Sequence, residues 1–146
     1  MSYSPSKQWL SSERKVRFGD VDSAGVIHFY HLFRWCHEFW EESLEVYGIY
    51  PLDIFPVSVF EKTTRIVLPI VSCEAEFISP IRVGDVVNLI LTAKEINSGR
   101  FEIITNFYKS SNLVAKGIIV HQAVDIETNK SCNLPENIQE WIRKSS

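Results

Sequence analysis

The sequence predicts an α+β fold in which an antiparallel sheet packs against one long helix, and three features carry that prediction. Residues 29–47 contain neither Pro nor Gly and place Leu32, Phe33, Cys36, Phe39, Trp40 and Leu44 at the spacing of one helical face. From residue 70 onward the apolar period changes from 3.6 to two, in runs separated by Gly, Ser and Asn. An antiparallel sheet must cover its apolar face, and the long helix is the only element large enough to do so.

Taken in order, residues 14–18 alternate charged and apolar side chains, with Val16 and Phe18 on one face, and stop at Gly19 as a short strand does. A turn-rich segment runs to Gly25. The helix over 29–47 follows, and Gly48 stands where a C-terminal cap belongs. Trp35, Val46 and Tyr47 widen its apolar stripe, which predicts a helix enclosed over much of its circumference. Residues 50–68, with Pro51 and Pro56, read as irregular.

Val71, Cys73, Ala75 and Phe77 then alternate with Ser72, Glu74 and Glu76, the pattern of a half-buried strand. Residues 86–96, 101–108 and 113–124 are three further strands, joined by Asn97-Ser98-Gly99 and Ser110-Ser111-Asn112 into an antiparallel meander. Pro135 opens a short helix over 136–144, with Ile138, Trp141 and Ile142 on one face. A curved antiparallel sheet wrapped around a long central helix is the hotdog fold.

The 146 residues, 45% hydrophobic and 12% aromatic, suit one domain over residues 1–146 with a substantial core. The net charge of −3, without a long Lys/Arg block, argues against a nucleic-acid binder. No apolar run approaches the ~18 residues of a membrane span, and the polar N-terminus lacks the pattern of a signal peptide, so no membrane association and a cytoplasmic location are expected. Cys36, Cys73 and Cys132 are odd in number and far apart, which fits reduced thiols rather than a disulfide set or a metal pair. Cys36 falls within the helical apolar pattern, where a thiol behaves as a small hydrophobe.

The segment Phe18-Gly-Asp-Val-Asp-Ser-Ala-Gly25 carries two carboxylates on a strand-to-helix connection. On residue type alone, Asp20 and Asp22 are either capping groups of an Asp-rich turn or chemical groups. A calcium loop fits poorly, because its fifth position is Ala24 and its twelfth His31, neither of which offers the required oxygen. A dehalogenase-type phosphatase needs a buried apolar strand ahead of its aspartates, and Arg14-Lys-Val-Arg17 is too charged. Thioester hydrolysis needs a carboxylate to attack or to activate water, and N–H donors for the developing oxyanion. Asp22, seven residues ahead of a helix start at Phe29, supplies the first, and the helix start supplies the second.

Val16-Arg-Phe-Gly-Asp-Val-Asp-Ser-Ala-Gly-Val-Ile-His-Phe29 resembles the signature of the 4-hydroxybenzoyl-CoA thioesterase family, whose members are hotdog protomers. The resemblance extends through the long helix to Phe77-Ile-Ser-Pro80 and Val83-Gly-Asp85, and so covers nearly the whole chain. It implies that Asp22 is catalytic, that the backbone N–H near Phe29 is the oxyanion donor, and that Asp20 has a structural or electrostatic role. Gly25 is implied where the backbone passes close to the thioester, and His28 and Phe33 as lining of the acyl pocket. Ala24-Gly-Val-Ile-His-Phe29 and Trp35-Cys-His-Glu38 resemble the branch acting on 1,4-dihydroxy-2-naphthoyl-CoA, of the cyanobacterial and plastid type, which serves phylloquinone synthesis. Short- or medium-chain or hydroxybenzoyl-type acyl-CoA hydrolysis, and a non-catalytic acyl-CoA-binding module, are the alternatives. The resemblance implies an acyl-CoA substrate and a homodimer or homotetramer.

His28, His31, His37 and His121 lack metal-ligand spacing, and neither a metal nor a cofactor is expected. Glu38, Glu41 and Glu42 form an acidic helical patch, read as solvated or facing a second copy. Arg82, Arg100, Lys109 and Lys116 are the candidates for the CoA phosphates.

Overall fold

Residues 5–50, 54 and 65–145 are described in the computed structural model. After a 3-10 turn at Pro5–Leu10, strand β1 spans Ser11–Lys15 and helix α1 spans Phe29–Tyr47. The strands that follow are β2 (Ile66–Val67), β3 (Ile70–Phe77), β4 (Val86–Asn97), β5 (Arg100–Lys109), β6 (Asn112–Gln122), β7 (Val124–Asp125) and β8 (Lys130–Ser131), and helix α2 spans Glu136–Ser145. A five-stranded antiparallel sheet has the order β1-β4-β5-β6-β3, and β2-β7-β8 form a small second sheet.

Along β4 and β5 buried and solvent-facing positions alternate, so that Val87, Leu89, Leu91, Phe101, Ile103 and Phe107 line one face. Helix α1 lays Leu32, Trp35, Cys36, Phe39, Trp40 and Leu44 against that face. Each large side chain so buried contributes about 1.5–3 kcal/mol of transfer free energy. The closest approach is at Gly117 of β6: a Cβ there would lie 2.6 Å from Cys36 Sγ and 3.2 Å from Leu32 Cδ2. Burial pushes the Cys36 thiol up to about 12, so it packs as an apolar group and no thiolate forms near neutral pH. Helix α2 closes the end of the core with Ile138, Trp141 and Ile142, Trp141 lying 6.0 Å from Trp9 and 6.5 Å from Trp40.

Four local expectations need correction. The first strand lies at 11–15 rather than 14–18, and Val16 and Phe18 do not share a face: Val16 is buried, whereas Phe18 is 85% exposed. The carboxylate of Asp20 accepts the Arg17 N–H and bends Phe18–Asp20 into a 3-10 turn, which takes Phe18 off the sheet. The widened stripe of the helix holds in part: Trp35 is buried and Tyr47 half-buried, but among the described residues Val46 is uncovered, at 68% exposed. Strand β3 is not half-buried, since Val71, Cys73 and Phe77 are exposed and only Ala75 is partly covered. Among the described residues it forms a sheet edge with one side unpaired, and the alternation read along it marks apolar positions that no other described residue covers. The third strand of the meander is interrupted, with β6 ending at Gln122 and β7 resuming at Val124. The irregular stretch expected over 50–68 falls mostly outside the described residues; within it Ile54 is buried and Ile66–Val67 form β2.

His121 of β6 lies in the core, stacked on Phe101 with centroids 5.3 Å apart and beside Trp40 at 4.5 Å, and its Nδ1–H donates to the Leu68 carbonyl at 2.8 Å. Burial outweighs that hydrogen bond and lowers its pKa to about 4, so the ring is neutral in the folded chain. The folded pKa is depressed, so the unfolded state binds the proton first as pH falls below about 6.5. Stability is therefore full above that value and declines toward pH 4, by about 3 kcal/mol from this residue. In His121→Asn the side-chain amide keeps a donor for the Leu68 carbonyl and cannot titrate. Urea denaturation between pH 7.5 and 4 should show the wild type losing about that much relative to the variant; a difference that stays constant with pH would contradict the assignment.

Candidate active site

The loop ahead of α1 is closed on itself and pinned at both ends. Val21 and Ile27 form an antiparallel bridge, the Asp22 N–H donates to the Val26 carbonyl at 2.9 Å, and the Gly25 N–H donates to the Asp22 carbonyl at 3.0 Å. Gly25 has φ +79°, a left-handed conformation that costs a side-chain-bearing residue free energy, so glycine is required by the turn. The Ile27 N–H donates to the Ile81 carbonyl at 2.8 Å, and Val26 bridges Arg82, so the loop is tied to the chain leaving β3.

At its other end the loop is held by Asp20. This carboxylate accepts the Arg17 N–H at 2.7 Å and meets His31 Nε2 at 2.6 Å, while the Asp20 carbonyl accepts the His28 N–H at 3.0 Å. Asp22 is exposed, and its Oδ1 accepts the Ala24 N–H at 2.8 Å. His28 is the N-cap of α1, and its ring lies 4.8 Å from Phe29 and 4.3 Å from Tyr30. The Phe29 N–H, first of the helix, has no acceptor among the described residues.

Asp22, His28 and Phe29 meet at one cavity of about 420 Å³, together with Val26 and Ile27. Its opposite wall is Phe77, Ile78, Ser79, Pro80 and Ile81. A carboxylate-bearing residue, the first residue of the helix and an apolar wall thus border one space. Two of the expected residues lie elsewhere: Gly25 shapes the turn outside the cavity lining, and Phe33 is half-buried against the core, since the helix turns it away from the cavity. The wall at 77–81 was not among the expected site residues. Its signal is the Ser79-Pro80 break, where the chain leaves the sheet edge just after exposed Phe77 and Ile78.

The remaining charged candidates are mostly engaged. Glu38 pairs with Arg34, Glu41 with His37 and Glu42 with Arg14, at 2.7, 2.9 and 2.6 Å. None of the three lines the cavity. Lys109 meets the Asp85 carboxylate at 2.8 Å, Arg100 donates to Gln122 at 3.0 Å, and Lys116 lies beside Glu74 and Glu76. Arg82 is exposed next to the cavity wall. Among the described residues, no helix is long and apolar enough to cross a membrane.

The antiparallel sheet curled over one long helix, with a carboxylate loop at the helix start, defines the hotdog class. The chain belongs to the thioesterase-like superfamily, whose profile matches residues 16–142. A 1,4-dihydroxy-2-naphthoyl-CoA hydrolase of Prochlorococcus marinus subsp. pastoris is 48% identical over 140 residues, 96% of this chain and 93% of that protein. One of Synechococcus sp. is 44% identical over 97% of this chain and 93% of that protein. A crystal structure from Prochlorococcus marinus str. MIT 9313 superposes with a TM-score of 0.90 at 45% identity, covering 96% of this chain and 98% of that one. The 1,4-dihydroxy-2-naphthoyl-CoA thioesterase of Synechocystis does so with a TM-score of 0.81 at 26% identity, covering 92% and 95%. The resemblance read from residues 16–29 is thus supported along almost the full chain.

Proposed function

We infer that this protein is a cytoplasmic single-domain hydrolase of an aromatic acyl-CoA thioester, 1,4-dihydroxy-2-naphthoyl-CoA, with Asp22 as its catalytic carboxylate. The observation that carries the reading is that Asp22 and Phe29, whose N–H has no acceptor among the described residues, line the same cavity. Asp22 Oδ1 is oriented by the Ala24 N–H, which leaves Oδ2 to attack the carbonyl carbon or to take a proton from attacking water. Either route places negative charge on the thioester oxygen, where the Phe29 N–H and the start of the α1 dipole stabilise it. Collapse of that intermediate breaks the C–S bond and expels CoA thiolate. Where Asp22 has taken the proton of water, it returns it to the thiolate and the free acid is the product. Where Asp22 has attacked, the thiolate takes a proton from water and a second water hydrolyses the acyl–aspartyl anhydride to restore the carboxylate. The substrate follows from the names of relatives at 44–48% identity, and apolar walls at Ile27, Phe29, Phe77 and Ile81 suit a flat bicyclic ring.

Asp22→Asn removes the charge at nearly constant shape. The expected result is a fall in kcat of at least about 10², with folding unchanged by circular dichroism. Full activity in this variant would exclude Asp22 as the catalytic group. A steady-state panel of CoA esters should give the naphthoyl ester the highest kcat/KM; a faster butyryl-CoA would instead assign an aliphatic substrate.

A second copy is part of this reading. Ile70, Val71, Phe77 and Ile78 are 45–49% exposed at the edge of β3, which is unpaired among the described residues, and Phe77 and Ile78 also wall the cavity. A copy paired along β3 would cover these side chains and border the site, giving a dimer or a tetramer of dimers. Light scattering at micromolar concentration should give twice or four times the 16.8 kDa chain mass; a monomer would refute the pairing.

A further inference from the structure

We propose that Asp20 and His31 form a positioning pair that holds the Asp22 loop in register with the Phe29 N–H. The proposal rests on the hydrolase reading above and adds to it two residues that do not line the cavity. The carboxylate and the N–H come from different pieces of chain, a loop and a helix. A misplacement of 1 Å between such groups can cost about 10²-fold in rate.

The far end of the loop is pinned to Ile81 and Arg82, but those contacts do not reach the helix. Asp20 joins the remaining parts at three points. Its Oδ2 accepts the Arg17 N–H where the turn begins, its Oδ1 meets His31 Nε2 in the first turn of α1, and its carbonyl accepts the N–H of the cap residue His28. Asp22 lies two residues beyond this junction and Phe29 one residue beyond the cap.

His31 itself gives the second observation. Its side chain is 12% exposed and that of Asp20 15%, so the pair is largely withdrawn from water. The ring packs edge-on against Trp35 at 5.7 Å and Tyr30 at 5.5 Å. His31 Nδ1 is buried without a partner among the described residues, and Asp20 provides the ring's hydrogen bond. A phenylalanine would fill this space without leaving a buried nitrogen unpaired. A half-satisfied imidazole therefore costs stability that only its bond to Asp20 offsets. Ionised Asp20 is an acceptor only, which puts a proton on Nε2 and orients the ring.

The test compares variants by kcat and KM on the naphthoyl ester, at a temperature where circular dichroism shows each folded. Asp20→Ala and His31→Phe should lower kcat by about tenfold or more while KM stays within about threefold. His31→Gln places an amide N–H near the position of Nε2–H and should recover most of the kcat lost in His31→Phe. Asp20→Asn keeps one acceptor oxygen of two and should fall between wild type and Asp20→Ala. If His31→Phe does not fold, the Asp20 series and His31→Gln against His31→Ala carry the same comparison. Wild-type kcat in Asp20→Ala, a loss confined to KM, or a His31→Gln as slow as the donor-free variant would each overturn the positioning role. A wild type that hydrolyses no acyl-CoA overturns the hydrolase reading itself, which separates the two failures.

Discussion

The height of helix α1 above the sheet is set by the contact at Gly117, where there is no room for a single additional carbon between β6 and Cys36. Thr105, the cross-strand partner of Gly117, and Ala115 keep the adjacent surface shallow. Leu32 and Cys36 descend into that hollow one turn apart, so both the depth and the axial position of the helix are determined near its N-terminal third. Leu32 lies only three residues inside the first helical residue. Seating it therefore decides where the first free N–H groups emerge, and with them the position of the cavity.

The loop that brings Asp22 to the same cavity owes its shape to backbone hydrogen bonds and one glycine rather than to burial. Asp22 and its neighbours Ser23 and Ala24 are exposed, and apolar packing contributes little to their placement. Directional contacts replace it: the bridge between Val21 and Ile27, the turn at Gly25, and the anchors at Ile81 and Asp20. An exposed carboxylate can then be ordered without being desolvated.

The helix over 29–47 was legible because its apolar spacing is long, unbroken and followed by Gly48, whose φ of +116° matches a left-handed cap. The hairpins at Ser98-Gly99 and Ser110-Ser111 and the helix at Glu136–Ser145 were legible for similar local reasons. Strand β1 was displaced because the alternation at Val16 and Phe18 continues past the last paired residue, and only the Asp20 carboxylate ends the strand. Burial of β3 is not legible in the sequence, because a period of two reports which side chains are apolar and not what lies over them. Of the candidate site, Asp22, His28 and Phe29 were legible from a contiguous motif. The wall at 77–81 arrives from some fifty residues downstream, and the bond between Asp20 and His31 spans a turn and a cap, neither of which leaves a periodic trace.

The cavity is assembled from two segments with separate duties. One side carries the carboxylate and the first residue of the helix on a loop whose geometry is over-determined by hydrogen bonds; the other, Phe77 to Ile81, supplies the apolar wall and, through the Ile81 carbonyl, one backbone anchor of that loop. Because that anchor is a backbone carbonyl, side-chain substitutions on the second side can resize the cavity while the hydrogen bonds of the loop stay in place. Such a division lets single side-chain changes in the wall reshape the cavity, and it ties variation in its form to the margin of the sheet instead of to its core.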